Sequence, residues 1–171
     1  MRLTLALAAL AATVVTASPA FAAAAKATET AEARGVVLQS LTLTKVDDLD
    51  FGTVAGSALL SGTVSIDADS GARSFTGGVV GLPGTFQPAK FSGLGEADQI
   101  VQLTLGQPAA GVLSSGSNNI PALLALDAGG VTRTIGTTGE FTVYVGGDFD
   151  IAANQANGLY SAQFDLTADY Q

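Results

Sequence analysis

The sequence predicts an all-β chain folded as an antiparallel two-layer β-sandwich. Three observations carry that expectation. Apolar and polar residues alternate with period two along the carboxy-terminal stretch. Several shorter runs repeat the alternation between clusters of Gly, Ser, Asn, Asp and Pro. Gly supplies 21 of 171 residues, about 12% against a usual ~7%, while 47% of residues are hydrophobic and 13% charged. That composition is rich in turns, yet apolar enough to build a core.

Residues 1–22 read as a secretory signal peptide. Arg2 gives the positive start, Leu3–Val15 the apolar run, and Ala20-Phe21-Ala22 the small-x-small cleavage pattern. Pro19 and the Ala/Thr content argue against a membrane-spanning helix. Cleavage after Ala22 would remove only Arg2, leaving 6 basic against 15 acidic residues. No later segment is apolar enough to span a bilayer, so no transmembrane anchor is expected after cleavage. The expected location is the periplasm, the cell surface or the exterior. Residues 23–34 read as an Ala-rich flexible extension, and 35–171 as the β-domain.

Within that domain, Leu41 and Leu43 alternate with Thr42 and Thr44, and Val64 and Ile66 with Thr63, Ser65 and Asp67. Val101, Leu103 and Leu105 alternate with Gln102 and Thr104. Ile120–Leu126 is more uniformly apolar, reading as a strand covered on both faces or a short helix. Phe141, Val143 and Val145, then Phe149 and Ile151, flank Gly146-Gly147, which predicts a bulge or bend. From Tyr160 to Tyr170 every even position is apolar, which predicts one strand over Leu159–Gln171 after the Asn157-Gly158 turn. Phe51, Val143, Phe164 and Leu166 are the expected core. A membrane barrel would reverse the pattern, but 8 Phe, 3 Tyr and no Trp are few for aromatic girdles.

Residue types exclude much chemistry. The chain has no His, no Cys and no Trp. It has no means to build a Ser-His-Asp triad, a thiol nucleophile, or an ordinary zinc, haem or iron–sulfur site. A formal charge of -8 with scattered basic residues argues against nucleic acid. Asp67-Ala68-Asp69-Ser70-Gly71 has a D-x-D-x-G look, but lacks the third ligand and distal Glu of a Ca²⁺ loop, so it reads as a polar hairpin turn. Asp47, Asp48 and Asp50, and Asp148 with Asp150, read as solvent-facing acidic groups at a sheet edge. No enzyme activity, cofactor or metal site is expected.

Leu41-Thr42-Leu43-Thr44-Lys45, followed by Leu49-Asp50-Phe51-Gly52-Thr53, resembles the opening of the bacterial DUF4402 domain. The likeness runs on through Ser61–Ile66, Gly77-Gly78-Val79, Pro88–Phe91, Tyr144–Gly147, Ala152–Gln155 and Gly158–Ser161. It covers roughly 33–170. More widely, the chain resembles the pilin subunits of chaperone–usher fibres and their spore-coat-U-like group. Tyr170 is penultimate and Gly158 is fourteenth from the end, as in the carboxy-terminal pilin signature. That resemblance implies an immunoglobulin-like sandwich lacking its last strand. It implies completion by strand addition from a periplasmic chaperone, or from another copy or related subunit. The implied strand-addition surface is Gly158, Tyr160, Phe164, Leu166 and Tyr170, with Ala23–Arg34 as donor. The alternative reading is a self-complete, monomeric secreted or periplasmic binding or accessory domain.

Overall fold

The computed structural model describes residues 26–171. The predicted signal peptide, and Ala23–Ala25 of the extension, lie outside the described residues. The chain divides into a part through Gly35 and a compact unit, Val36–Gln171. Residues 26–40 are all exposed and belong to no strand.

Twelve strands follow: β1 (Thr42–Asp47), β2 (Val54–Ala55), β3 (Gly62–Ile66), β4 (Arg73–Phe75), β5 (Val80–Gly81), β6 (Ala89–Leu94), β7 (Ile100–Leu105), β8 (Val112–Ser115), β9 (Asn118–Leu126), β10 (Thr132–Thr134), β11 (Glu140–Ile151) and β12 (Leu166–Tyr170). The expected all-β class is the one observed, and every pairing among the described residues is antiparallel. The larger sheet runs β1-β6-β11-β3-β4, with β9 also on β11 and β8 on β9. A second sheet runs β10-β7-β12, and β2 pairs with β5.

β11 is the spine. Glu140–Val145 pairs with β6 and Gly147–Ile151 with β3, while Val145–Phe149 pairs with β9 along the opposite edge. The Gly146-Gly147 pair sits where partners change. A Cβ on Gly146 would lie 2.3 Å from Ile66 O, and one on Gly147 2.4 Å from Leu123 O. Only glycine lets three strands meet so closely.

Phe91, Val101, Leu103, Leu124, Val143 and Val145 belong to one core cluster, drawn from both larger sheets, with Leu166 and Tyr170 packed against it. Val64, Val79, Ile120, Ala122, Phe149 and Ile151 form a second, with Phe51 and Tyr160 packed against it. The apolar parity of the strands therefore points into shared cores.

Three expectations need correction, and one strand went unpredicted. The strand at Ile120–Leu126 is buried on one face only: Ile120, Ala122 and Leu124 are inside, while Leu123 is 60% exposed. The carboxy-terminal strand spans only Leu166–Tyr170. Tyr160 and Phe164 are half-buried, Ala162 between them is exposed, and the partner changes. Ser161 bridges to Ser114 on β8, whereas Leu166 pairs with Leu105 on β7. The loop 106–111 separates β7 from β8, so no continuous ladder can form. Of the four expected core residues, Val143 is fully buried, but Phe51, Phe164 and Leu166 are half-buried. Finally, β6 lies beside the spine, yet its alternation is masked by a buried glycine. Gly93 pairs with Phe141, whose ring occupies the space a Cβ would need, 2.1 Å away.

Candidate functional site

β1 and β12 are edge strands of different sheets, and the seam between them is closed at one end. The Tyr170 hydroxyl donates to Gln39 O at 2.8 Å and accepts the Glu96 N–H at 2.7 Å. Gln39 N–H donates to the Glu96 carboxylate at 3.1 Å. The penultimate tyrosine thus pins the chain just before β1.

Toward the other end the seam opens into a groove of about 760 Å³. Its floor carries Leu113, Ile120, Leu124, Phe149 and Ile151, and its walls are the segments 51–58 and 154–164. Phe51 meets Phe149 edge-on at 4.8 Å, and Phe164 meets Phe91 at 6.1 Å. Among the described residues, one backbone hydrogen bond joins the walls: Asn154 N–H to Ser57 O, 3.0 Å, at the far end. The seam is fastened at both ends and unpaired between them.

Each wall has its own support. Asp50 and Gln87 exchange backbone hydrogen bonds of 2.9 and 2.8 Å. Arg73 donates to Phe51 O (2.9 Å) and Leu82 O (3.1 Å), and its guanidinium lies over the rings of Phe75 and Phe86. Gly52 has φ +73°, and a Cβ there would meet the Arg73 Nη1 at 2.5 Å. The glycine of the Phe51-Gly52 pair therefore makes room for the arginine. On the opposite wall, Ser161 and Ser114 exchange two backbone bonds of 3.0 Å. The Tyr160 hydroxyl donates to Ala156 O (2.7 Å) and accepts from the Gln155 amide (2.9 Å). A Cβ on Gly158 would sit 2.5 Å from Ser115 Oγ. Behind the floor, the Gln107 side-chain amide exchanges two 2.8 Å hydrogen bonds with Leu124 N–H and O. It acts on the edge of β9 as a neighbouring strand would.

The predicted surface is thus split. Gly158, Tyr160 and Phe164 line the groove, whereas Leu166 and Tyr170 lie on β12, where the seam is closed. The sequence reading missed the 51–58 wall and the floor, which come from residues far apart in the chain. Phe51-Gly52 was the one local signal, and it reads equally as a core residue before a turn.

The groove is poor in charge: Asp50 is the one carboxylate in its lining, and it accepts the Gly52 N–H at 2.7 Å. The other acidic groups have structural partners. The Asp67–Gly71 segment is the predicted hairpin turn, with Ser70 N–H (2.8 Å) and Oγ–H (2.6 Å) donating to Asp67. Those two bonds hold the Asp67 carboxyl below its ordinary range. Asp69 accepts the Ala128 N–H at 2.9 Å. Asp127 pairs with Arg133 and accepts the Tyr144 N–H at 2.8 Å. Asp148 is pushed above the ordinary carboxylate range by burial and by the nearby Asp150 charge. No group of three or more acidic side chains is placed to hold a metal ion among the described residues, and no described helix is long and apolar enough to cross a membrane.

The family model described as "Domain of unknown function (DUF4402)" matches residues 41–170. No curated protein and no solved structure matches the chain.

Proposed function

The chain belongs to the DUF4402 family, and from that premise we propose that it is an exported, non-enzymatic structural subunit, resembling a pilin, that takes a partner's β-strand into the groove between the segments 51–58 and 154–164. The observation that carries this reading is the open groove. Its floor is apolar, and no ladder joins its two walls among the described residues: Val54–Ala55 in one wall pairs outward with Val80–Gly81, and Ser161 in the other bridges to Ser114. Unpaired edges over an apolar floor are what strand addition satisfies: backbone groups supply affinity and alternate side chains fill the pockets. Leu159 in the groove's lining is 85% exposed. Such a side chain gains from being covered.

In this reading the fold is an immunoglobulin-like sandwich whose missing strand comes from a periplasmic chaperone or a neighbouring subunit. Export precedes assembly, with the mature chain starting at Ala23. The same groove also supports a second reading. Its volume suits a small apolar ligand, and the Asn154–Ser57 and Tyr170–Gln39 bonds fasten it at both ends, as in a self-complete monomer.

Amide hydrogen exchange separates the two. The mature protein would be titrated with a designed nine-residue peptide of alternating Val and Thr. Strand addition requires slowed exchange in both walls, 51–57 and 158–164. Unchanged walls with an apolar dye displaced from the groove would favour the monomeric binder. Amino-terminal sequencing of exported protein tests the cleavage site, and recovery of Met1 would overturn it.

A further inference from the structure

We propose that Asn157 is a site of spontaneous covalent modification: its side chain closes on the Gly158 nitrogen to a succinimide, which reopens as an aspartyl or isoaspartyl linkage and puts a new carboxylate on the groove wall. The inference goes beyond the strand-acceptor reading. The reaction needs no partner and proceeds whatever enters the groove.

The chemistry is an intramolecular acyl transfer, which proximity favours. The Gly158 backbone nitrogen, having given its proton to solvent, attacks Cγ of Asn157. A Cγ–N bond forms, the Cγ–Nδ2 bond breaks, and Nδ2 takes a proton from solvent and leaves as ammonia. Water then adds to either carbonyl of the five-membered ring. Opening one C–N bond gives an aspartyl residue. Opening the other routes the main chain through the former side chain, as an isoaspartyl linkage. Both products carry a carboxylate where a neutral amide stood, a change of charge that alters what the site can contact.

Asparagine is thermolabile in general, but ring closure sets conditions that the four asparagines of the chain meet unequally. The attacking nitrogen must reach the side chain unhindered, must be free to rotate, and must be open to water. At Asn157 the next residue is glycine, which has no Cβ to block the approach. Neither residue lies in a strand, and both are exposed. Among the described residues the Gly158 N–H joins no backbone hydrogen bond. Asn118 and Asn119 instead lie in β9, paired with Ser115 and Ser114 of β8, and Asn119 precedes the β-branched, buried Ile120. Asn154 precedes Gln155, whose N–H donates to Ala152 O at 3.1 Å.

The position gives the reaction a consequence. Asn157 and Gly158 line the groove, where Asp50 is otherwise the one carboxylate. The Tyr160 hydroxyl clips the loop by donating to Ala156 O at 2.7 Å, and Ser161 is held to Ser114 beyond it. An isoaspartyl linkage lengthens the main chain inside that clip by one carbon atom. The clip then stretches or releases, and the wall loosens with the age of the molecule.

The full mature chain, held for weeks in warm neutral buffer, would be digested and mapped by mass spectrometry, with isoaspartate scored by enzymatic methylation. The amide-to-acid mass gain should appear at Asn157 about tenfold or more faster than at the other asparagines, a barrier difference of about 1.4 kcal/mol. An Asn157 that converts no faster than Asn118, Asn119 and Asn154 would overturn the proposal. Gly158→Ala should slow conversion, but its Cβ would lie 2.5 Å from Ser115 Oγ and disturb the wall. Asn157→Gln leaves that contact alone and demands a less favourable six-membered ring. It should abolish the early release of ammonia, and undiminished release would overturn the assignment. Freshly prepared Asn157→Asp carries the charge without the longer backbone. Amide exchange at 158–161 should be faster in the isoaspartyl fraction of aged protein than in that variant. Equal exchange would overturn the loosening of the wall.

Discussion

The two halves of β11 share one strand and one parity, yet they end in different surroundings. Phe141, Val143 and Val145 lie in the cluster closed over by residues of β7 and β12. Phe149 and Ile151 lie in the second cluster, where Phe51 and Tyr160 give partial cover and the groove stands above. Alternation specifies which side chains turn inward. Whether that face is sealed depends on the opposing sheet continuing, and here β12 begins only at Leu166.

Substitutions in the two halves should therefore differ. Phe141→Ala removes a ring that is 6% exposed and also fills the space beside Gly93. It should cost about 3–5 kcal/mol. Phe51→Ala, at a half-exposed ring on the groove, should cost about 1–2 kcal/mol. Denaturant titration of both variants checks this. Equal losses would mean that the groove half is as well sealed as the other.

That contrast also marks what the sequence could show. Parity was legible at Val64 and Ile66, at Val101 and Leu103, along β11, and even through Tyr160, Phe164 and Leu166, because period two is a local property. Closure was not legible. Nothing local to Leu159–Gln171 announces that its partner changes from β8 to β7 between Ser161 and Leu166. β6 was hidden because Gly93 leaves its core volume to Phe141, a residue 48 positions later in the chain. Among the groove residues, Gly158, Tyr160 and Phe164 were reachable from one alternating run. The opposite wall depends on Arg73, and no spacing rule links an arginine to a carbonyl 22 residues earlier.

Arg73 offers a way to loosen the open half alone. Its guanidinium makes no ion pair among the described residues; it serves carbonyls and ring faces instead. Arg73→Ala should cost about 2–3 kcal/mol, the range for hydrogen bonds from a charged donor. Exchange should quicken at 51–55 while β6 and β7 stay protected. Arg73→Lys should recover little, because a single ammonium lacks the fork that reaches both Phe51 O and Leu82 O. Loss of protection spread evenly over the molecule would show that the wall is not a separate unit.

Tyr170→Phe probes the closed end. Its ring stays, but Gln39 O and the Glu96 N–H lose their shared partner. The residue is half-exposed, so water can replace part of the loss, and about 1 kcal/mol is expected. Faster exchange should be confined to residues 39–41 and 96. If the groove walls also quicken, the seam opens as one piece and the distinction between its ends disappears.

The smallest effect, and the one whose sign is most informative, belongs to Asp148. It lies on β11 opposite Ser65 of β3 and Leu123 of β9, two residues from Asp150. Burial and the Asp150 charge raise its pKa in the fold, so the folded chain holds this proton more tightly than the unfolded chain. The stability linked to that proton is full below the ordinary carboxylate pKa and is lost as pH rises through the elevated folded value. At neutral pH the ionised Asp148 therefore weakens the fold. Asp148→Asn should melt higher than the parent at pH 7 and lose that advantage at pH 3. Asp150→Asn should behave differently, because Asp150 accepts the Thr63 hydroxyl at 2.6 Å and that charged acceptor would be lost. Identical melting of Asp148→Asn and parent at pH 7 would show the carboxylate to be well solvated. The groove half would then owe its weaker sealing to missing apolar cover alone, without a contribution from charge.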